Sequence, residues 1–282
     1  MENQQAVVDY YEATRFDYRF LWAGRRDRSL HFGYFDEVTR SHAASLLRMN
    51  EILAETVAVT SSDVVLDAGC GYGGSALWLA ERYGCRVKGL TLVPFQARRG
   101  QLLARSRHLD SRVEIRVGDF TDIPYPDRSF AVYWALESVV HAPDLSRVLA
   151  EACRVLAPGG RLVLSAYTLR ERPPLTEAEH EYLAPWLAGW VMPHLYPALT
   201  YRRELEAAGF SHVVTEDITP HVIPSLRRLQ ILWWLLYPVA LIIGTFFFRA
   251  ERMKNYYASR RQVAALKKGL WQHTIISAYK PV

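Results

Sequence analysis

Residues Val64 to Gly74 read VVLDAGCGYGG, and this stretch decides the fold. A short apolar run ends in the acid Asp67, glycines then recur at every second position, and Ser75 to Ala80 continue in a helical pattern. Such an apolar run is typical of a buried parallel strand, and the glycines allow a tight turn that a ligand can approach closely. The spacing D-x-G-x-G-x-G differs from the dinucleotide pattern G-x-G-x-x-G. Alone, the stretch indicates either a structural turn or a nucleotide site.

Further apolar runs follow the first one at regular distances and predict six more strands. Turn residues precede two of them, at Pro124 to Asp127 and at Pro158 to Gly160. The predicted strands are Val87–Thr91, Val113–Val117, Phe130–Ala135, Arg161–Ser165, Ser211–Glu216 and His273–Tyr279.

This order of motifs resembles the class I S-adenosylmethionine-dependent methyltransferases over roughly residues 60 to 220. The resemblance implies a Rossmann-like, doubly wound α/β fold with a seven-stranded, mostly parallel sheet whose last strand is antiparallel. It also implies S-adenosyl-L-methionine as the cofactor, with contacts at Asp67, Gly69, Gly71 and Gly73. We expect one structural domain in four regions. These are an N-terminal helical lid (1–56), the cofactor-binding core (57–168), an active-site cover (169–199), and the end of the sheet (200–282) with an apolar helical insertion (227–258).

Composition and charge suit an enzyme for a hydrophobic small molecule. The 282 residues include 16 Tyr and 8 Trp, which favour an apolar, amphipathic cavity. The net charge of +5 falls on scattered basic pairs. We therefore expect no nucleic-acid partner, and attraction to anionic lipid is the lesser alternative. Three cysteines without metal-ligand spacing and a polar N-terminus predict a cytoplasmic enzyme, with peripheral contact to the inner membrane surface as an option.

Aromatic residues are concentrated between Val8 and Trp22, too densely for a solvated arm. The region up to residue 56 looks helical, and it predicts either a layer that packs on the sheet or a lid over the ligand. In the lid interpretation Tyr18 contacts the cofactor, whereas Trp22, His31 and Tyr34 contact the substrate.

Basic side chains cluster at Arg25, Arg26, Arg28 and His31. They form either a solvent-facing turn or a site for the diphosphate of a prenyl acceptor. Magnesium is expected only if the acceptor is a diphosphate, and no metal-binding residues are predicted in this chain.

The second predicted strand leads into GLTLVPFQ, residues 89–96, which lacks the acid that many nucleoside-binding folds carry there. The pattern resembles the tocopherol and sterol C-methyltransferase group. That resemblance implies that Thr91 and Gln96 lie on the ribose side of the cofactor. It also implies that Asp119 accepts from the adenine amino group and that Phe120 lies along the base, with further cofactor contacts at Leu92, Gly118 and Leu136. The alternative for Asp119 is an acid that only caps the next turn.

The segment Tyr133 to Asp144 leaves the fourth predicted strand and contains E-S-V-V-H-A-P. It resembles the sterol methyltransferase pattern E-x-x-x-H-A-P, which makes Glu137 and His141 the candidate catalytic residues. Apolar neighbours should raise the pKa of the Glu137 carboxyl toward the range useful to a base. The alternative is a Glu in an exposed loop or a structural His–Glu pair.

An aromatic chamber with a carboxylate fits C-methylation of an alkene. Attack by the π bond leaves a carbocation, which aromatic faces stabilise and from which a carboxylate can remove a proton. A hydrophobic isoprenoid or terpenoid acceptor is therefore expected. O- or N-methylation of an aromatic or macrocyclic natural product, with His141 as base, stays open. So does a non-methylating, cyclase-like or regulatory relative.

Two segments are predicted to cover the acceptor. Residues 170–197 contain five prolines, and their Trp186 and Trp190 are candidate substrate contacts. Residues 231–248 carry no charge and are long enough to span a membrane, but they fall between two strands that pair in this fold. We expect instead a pair of short helices broken at Pro238, which serve as substrate cover, peripheral membrane contact or homo-oligomer interface.

Overall fold

The computed structural model of the chain describes residues 2–15, 18, 29–172, 174–247 and 250–282, with only the backbone of residues 2, 233, 236–247 and 250–253. Within these residues, seven strands form one sheet in the order β3-β2-β1-β4-β5-β7-β6. The strands are β1 (Val64–Ala68), β2 (Arg86–Thr91), β3 (Val113–Val117), β4 (Phe130–Leu136), β5 (Leu156–Leu169), β6 (Ser211–Asp217) and β7 (Trp271–Tyr279). Strand β7 runs antiparallel to both neighbours, and the other pairs are parallel. The predicted Rossmann-like sheet is confirmed.

Helices connect the strands and flank the sheet. In the described part of the chain they are α1 (Glu2–Ala13), α2 (His42–Thr56), α3 (Gly74–Tyr83), α4 (Pro94–Ser106), α5 (Leu145–Val155), α6 (Glu177–Gly189), α7 (Ala198–Ala207), α8 (Thr219–Phe247) and α9 (Ala250–Lys267). Ser41 caps α2, because its side chain accepts a hydrogen bond from the Ala44 N–H.

The parallel register brings three strand ends to one edge of the sheet. Asp67 of β1 lies opposite Gly89 of β2 and Trp134 of β4. The chain segments that follow these strands therefore emerge together, at the edge where open α/β sheets bind ligands.

Two of these segments interlock at Gly69. This residue has a φ of +84°, which a side chain would disfavour, and a Cβ there would collide with the Cβ of Ser138. The Ser138 hydroxyl in turn donates to the Ala68 carbonyl at 2.5 Å. The glycine thus allows the loop after β1 to pack against the loop after β4.

The N-terminal layer is not helical throughout, in contrast to the sequence prediction. Between residues 29 and 40 the described chain is irregular, because its backbone groups bond to other elements. The Gly33 N–H donates to the Ser225 hydroxyl of α8, and the Tyr34 N–H donates to the Ser45 carbonyl of α2. This segment therefore joins α2 to α8 across the carboxyl edge of the sheet.

The predicted helix break at Pro238 is wrong. Helix α8 continues through this proline and ends at Phe247, after 29 residues. A proline removes one backbone donor, whereas the leucines and alanine around it favour helix and keep the other turns. Among the helices whose side chains the structure describes, none is long and apolar enough to cross a membrane.

Candidate active site

A cavity opens at the carboxyl edge of β1, β2 and β4. Helix α1, the irregular segment, and helices α8 and α9 roof it. Its lining combines the loops that follow these strands with apolar and aromatic side chains of the roof. The cavity therefore offers polar groups on the side of the sheet and an apolar surface on the side of the roof.

The glycine-rich loop forms one wall of this cavity. Gly69 and Gly71 line it, and both have positive φ. Gly73 does not line it, and a Cβ there would instead collide with Ile115. Helix α3 begins directly after the loop, so its N-terminal backbone N–H groups and dipole also face this wall.

Asp67 lies at the bottom of the same wall and is 2% exposed. Burial raises the pKa of its carboxyl to about 7, against a hydrogen bond from the Ala76 N–H that lowers it. Its second oxygen, Oδ2, is buried without a hydrogen-bond partner among the described residues. A carboxylate oxygen in this state fits the amino group of S-adenosylmethionine, which would supply the missing donor and charge.

A neutral polar pair stands where many nucleoside-binding folds have an acid. The Thr91 hydroxyl donates to Gln96 Oε1 at 3.0 Å, and both residues are buried and line the cavity beside Leu92. The hydrogen bond leaves the Gln96 amide nitrogen as a donor to a ligand oxygen. This pair fits a ribose hydroxyl.

The predicted cofactor contacts after β3 separate into two groups. Phe120 lines the cavity, whereas Gly118 and Asp119 do not. One Asp119 oxygen accepts from the Thr121 N–H, and the other accepts from the Gln4 side chain of α1 at 2.5 Å. In this structure Asp119 therefore ties α1 to the sheet.

Glu137 lies directly beyond β4, beside Leu136, and both line the cavity. Its Oε1 accepts from the Phe32 N–H at 2.8 Å, and its Oε2 accepts from the Tyr167 hydroxyl. Burial raises the pKa of its carboxyl from 4.5 to about 7, although both hydrogen bonds lower it. Each carboxylate oxygen keeps a second lone pair. The group can therefore accept a proton near neutral pH.

A buried histidine stands behind this carboxylate. His273 Nε2 lies 3.6 Å from Glu137 Oε1 and 2.8 Å from the Ser165 hydroxyl. Burial lowers the pKa of His273 to about 3, so the ring is neutral and the contact is not an ion pair. The high pKa of Glu137 is thus not offset by a neighbouring cation.

His141 is held at both ring nitrogens. Nδ1 lies 3.1 Å from the Val191 carbonyl, which can only accept, so this nitrogen carries the proton. Nε2 then accepts from the Tyr11 hydroxyl of α1 at 3.1 Å. Burial lowers the pKa of His141, which keeps the ring neutral. Asn3 adds a bond to the His141 carbonyl, so this residue also fastens α1 over the cavity.

Three tyrosines form an aromatic cluster on the cavity wall. The ring centroids of Tyr10 and Tyr11 are 5.1 Å apart, and those of Tyr11 and Tyr18 are 5.8 Å apart. The Tyr10 hydroxyl donates to Asn255 Oδ1 at 3.1 Å and lies 2.8 Å from the Tyr18 hydroxyl. Aromatic faces attract positive charge, so the cluster suits a cationic centre.

The predicted substrate contacts are divided between the cavity and the core. His31 and Trp190 line the cavity. Tyr34 instead stacks on His221, with centroids 4.1 Å apart, and Trp186 is fully buried behind Tyr167. Trp22 and the arginines at 25, 26 and 28 lie outside the described residues.

Several lining residues were missed by sequence reasoning. They are Tyr10, Tyr11, Phe32, Tyr167, Leu229, Leu232 and Asn255. The aromatic density of the N-terminal stretch signalled Tyr10 and Tyr11. No local pattern marked Tyr167, which is an ordinary aromatic residue near the end of a strand.

Comparison of the chain with known proteins identifies it as a methyltransferase. A family model described as a methyltransferase domain matches residues 66–164. The 27-O-demethylrifamycin SV methyltransferase of Amycolatopsis mediterranei is 34% identical over 74% of this chain and 74% of its own length. The sterol 24-C-methyltransferase of Eremothecium gossypii is 34% identical over 76% of this chain, and the match spans 56% of that enzyme.

Two solved structures share the fold over almost the whole chain. The [4+2]-cyclase SpnF has a TM-score of 0.82 at 23% identity, with 99% of this chain and 97% of that chain covered. The geranyl diphosphate C-methyltransferase of Streptomyces coelicolor A3(2), in complex with Mg²⁺, geranyl diphosphate and S-adenosyl-L-homocysteine, has a TM-score of 0.75 at 21% identity. That alignment covers 99% and 98% of the two chains.

Proposed function

Because the chain belongs to the S-adenosylmethionine-dependent methyltransferases, we propose that it methylates a hydrophobic, isoprenoid-type small molecule at carbon. The observation that carries the proposal is Glu137, a buried carboxyl with a pKa of about 7 that faces a chamber rich in tyrosine. This is the pairing that alkene methylation requires.

The residues act on the acceptor at two points. When bound, S-adenosylmethionine supplies an electrophilic methyl group. The faces of Tyr10, Tyr11 and Tyr18 stabilise the positive charge that develops on the acceptor carbon skeleton. Glu137 then accepts a proton from a neighbouring carbon of the acceptor, and a double bond forms as the charge is lost. Tyr167 and the Phe32 N–H hold the carboxylate in place through both oxygens.

Cofactor contacts are proposed along the glycine-rich wall. Asp67 holds the amino group, while Thr91 and Gln96 bind the ribose hydroxyls. The remaining contacts are Gly69, Gly71, Leu92, Phe120, Leu136 and Tyr18, all of which line the cavity. We propose that Gly73, Gly118 and Asp119 act by shaping this wall and by fixing α1.

An uncharged acceptor fits the cavity better than a diphosphate. Glu137, the acid of the described lining that is not assigned to the cofactor, would repel a diphosphate when ionised. The aliphatic side chains of Val7, Leu229 and Leu232 suit a hydrocarbon skeleton. A sterol methyltransferase among the relatives agrees with such an acceptor.

O-methylation of a natural product is the second candidate. The Tyr11–His141 hydrogen bond provides a neutral imidazole next to a phenol, which could relay a proton from an acceptor hydroxyl. The rifamycin methyltransferase among the relatives favours this alternative.

The cell compartment and the partners of the enzyme are also proposed. We propose a cytoplasmic enzyme that meets membranes only at their surface, through the apolar segment 231–248. The three cysteines are free, which agrees with a reducing compartment. The same segment would form the interface if the enzyme is a homo-oligomer.

The proposal is tested with S-adenosylmethionine labelled in its methyl group and a panel of lipophilic acceptors. The panel contains sterols, squalene, a tocopherol precursor and prenyl diphosphates, each with and without magnesium. We expect label in an uncharged isoprenoid, independent of a chelator. Label only in a diphosphate with magnesium would refute the acceptor class. No label in any acceptor, with the cofactor bound, would favour a non-methylating, cyclase-like activity.

A further inference from the structure

The positive charge of the chain is concentrated in the last two helices. Residues 219–267, here called the helix pair, contain eight Lys and Arg and one acidic residue, Glu251. Their net charge is therefore +7, whereas the whole chain carries +5 and the remainder carries −2. The excess that looks scattered along the sequence therefore falls within residues 219–267.

The outer face of α8 combines this charge with exposed apolar side chains. Ile231, Trp234 and Leu235 are 59%, 64% and 66% exposed, and the exposed Arg227 lies one turn before Ile231. These positions recur at helical spacing, so they share one face. A face of large apolar residues bordered by arginine is typical of helices that lie in a membrane interface.

The inner face of the same helix belongs to the protein interior. Val222 and Leu226 are almost fully buried, and Leu229 and Leu232 line the active-site cavity. The width of one helix therefore separates the exposed apolar surface from the proposed acceptor site.

A small groove lies between α8 and α9. Its lining includes the exposed Trp234 and Arg260 and the buried Val263. It also includes Leu229 and Ser259, which line the active-site cavity as well. The groove thus places residues of the exposed face beside residues of the cavity wall.

We infer that the outer face of the helix pair docks on an anionic lipid bilayer and that the groove admits the lipophilic acceptor from it. This inference rests on the proposed function, since it concerns the supply of that acceptor. The exposed Arg227 and Arg228 lie beside the apolar face and complement an anionic surface, and each arginine near such a surface strengthens binding about fivefold. Two copies of this face would repel each other, which disfavours a dimer through it.

The test measures binding to vesicles of phosphatidylglycerol and phosphatidylcholine, with phosphatidylcholine vesicles alone as the comparison. We expect sedimentation with the anionic vesicles, weakened by salt because ions screen the attraction. R227Q/R228Q should reduce the partition coefficient about 30-fold, and Leu235→Asp at least tenfold.

Matched controls lie on α4, which carries an exposed arginine pair and an exposed leucine. R98Q/R99Q and Leu102→Asp change the same residue types on a different surface. They should leave vesicle binding within twofold of the unchanged protein. Equal losses in both sets, or equal binding to both kinds of vesicle, would overturn the inference.

Methylation assays distinguish a failure of this inference from a failure of the proposed function. With an acceptor from the panel, the docking variants should slow methylation in vesicles but not in detergent micelles. Methylation in micelles without any vesicle binding would refute docking and leave the methyltransferase proposal intact. Vesicle binding without methylation of any acceptor would refute the proposed function alone. Dissociation of a dimer by Leu235→Asp, without vesicle binding, would identify the face as an interface between copies.

Discussion

Glu137→Gln removes the titration of the proposed base while it keeps the shape of the side chain. The native carboxyl has a pKa of about 7, against 4.5 for an ordinary glutamate. Between these values the folded chain retains a proton that the unfolded chain has released. Raising the pH through this range therefore destabilises the native protein, and the loss is complete above pH 7.

The size of this loss follows from the shift. One pKa unit corresponds to about 1.4 kcal/mol, so between pH 5 and pH 8 Glu137 costs about 2–3 kcal/mol of unfolding free energy. The glutamine variant escapes this cost, and Tyr167 can accept a hydrogen bond from its amide. Relative to the unchanged protein, the variant should gain about 2–3 kcal/mol of stability between pH 5 and pH 8.

Urea unfolding of both proteins at the two pH values measures this difference directly. The Asp67 carboxyl, whose pKa is also raised, contributes equally to both proteins and cancels. Glu206→Gln, at an exposed position of α7, is the matched control and should show a pH-independent change within about 0.5 kcal/mol. A Glu137→Gln effect that is the same at pH 5 and pH 8 would refute a raised pKa and the argument for a base.

Four further predictions concern the same site. Turnover of Glu137→Gln should fall about 10²- to 10⁴-fold with cofactor affinity nearly unchanged, and comparable turnover would remove its role as base. Asp67→Asn should weaken S-adenosylmethionine binding about tenfold or more in calorimetry, because a buried charged partner is lost; equal affinity would contradict the proposed contact. Asp119→Ala should weaken it less, through release of Gln4 and α1, and an unchanged affinity would show that this tie is not needed. Tyr167→Phe removes a hydrogen bond that lowers the pKa of Glu137, so the acidic limb of the pH–rate profile should move to higher pH; an unmoved limb would argue against this bond.

The cofactor side of the site could be predicted from sequence because its determinants are local. The loop after β1 needs positive φ at Gly69 and Gly71, and these positions stand next to the strand that carries Asp67. Thr91 likewise ends β2, and Glu137 follows directly on β4. Parallel strands end at one edge, so each local motif automatically joins the others there.

The acceptor side could not be predicted in the same way, because it is assembled from distant parts of the chain. Tyr167 reaches Glu137 across 30 residues, and Phe32 reaches it across 105. Only the packing of the irregular segment beneath α8 brings the Phe32 N–H to the carboxylate. Neither residue stands in a pattern that indicates a partner.

The continuity of helix α8 is another feature that could not be predicted from the sequence. Its proline predicts a local break, yet the helix has 29 residues, since helix-favouring neighbouring residues outweigh one missing hydrogen bond. The concentration of charge in the helix pair was present in the sequence. It became visible only when the two helices were recognised as one element.

The most direct test of carbon methylation is the nuclear magnetic resonance spectrum of the isolated product made with a carbon-13-labelled methyl donor. The account predicts that the labelled methyl is bonded to carbon, next to a double bond formed when Glu137 accepts the proton. A labelled methyl bonded to oxygen would contradict carbon methylation and make the Tyr11–His141 pair the basis of the mechanism.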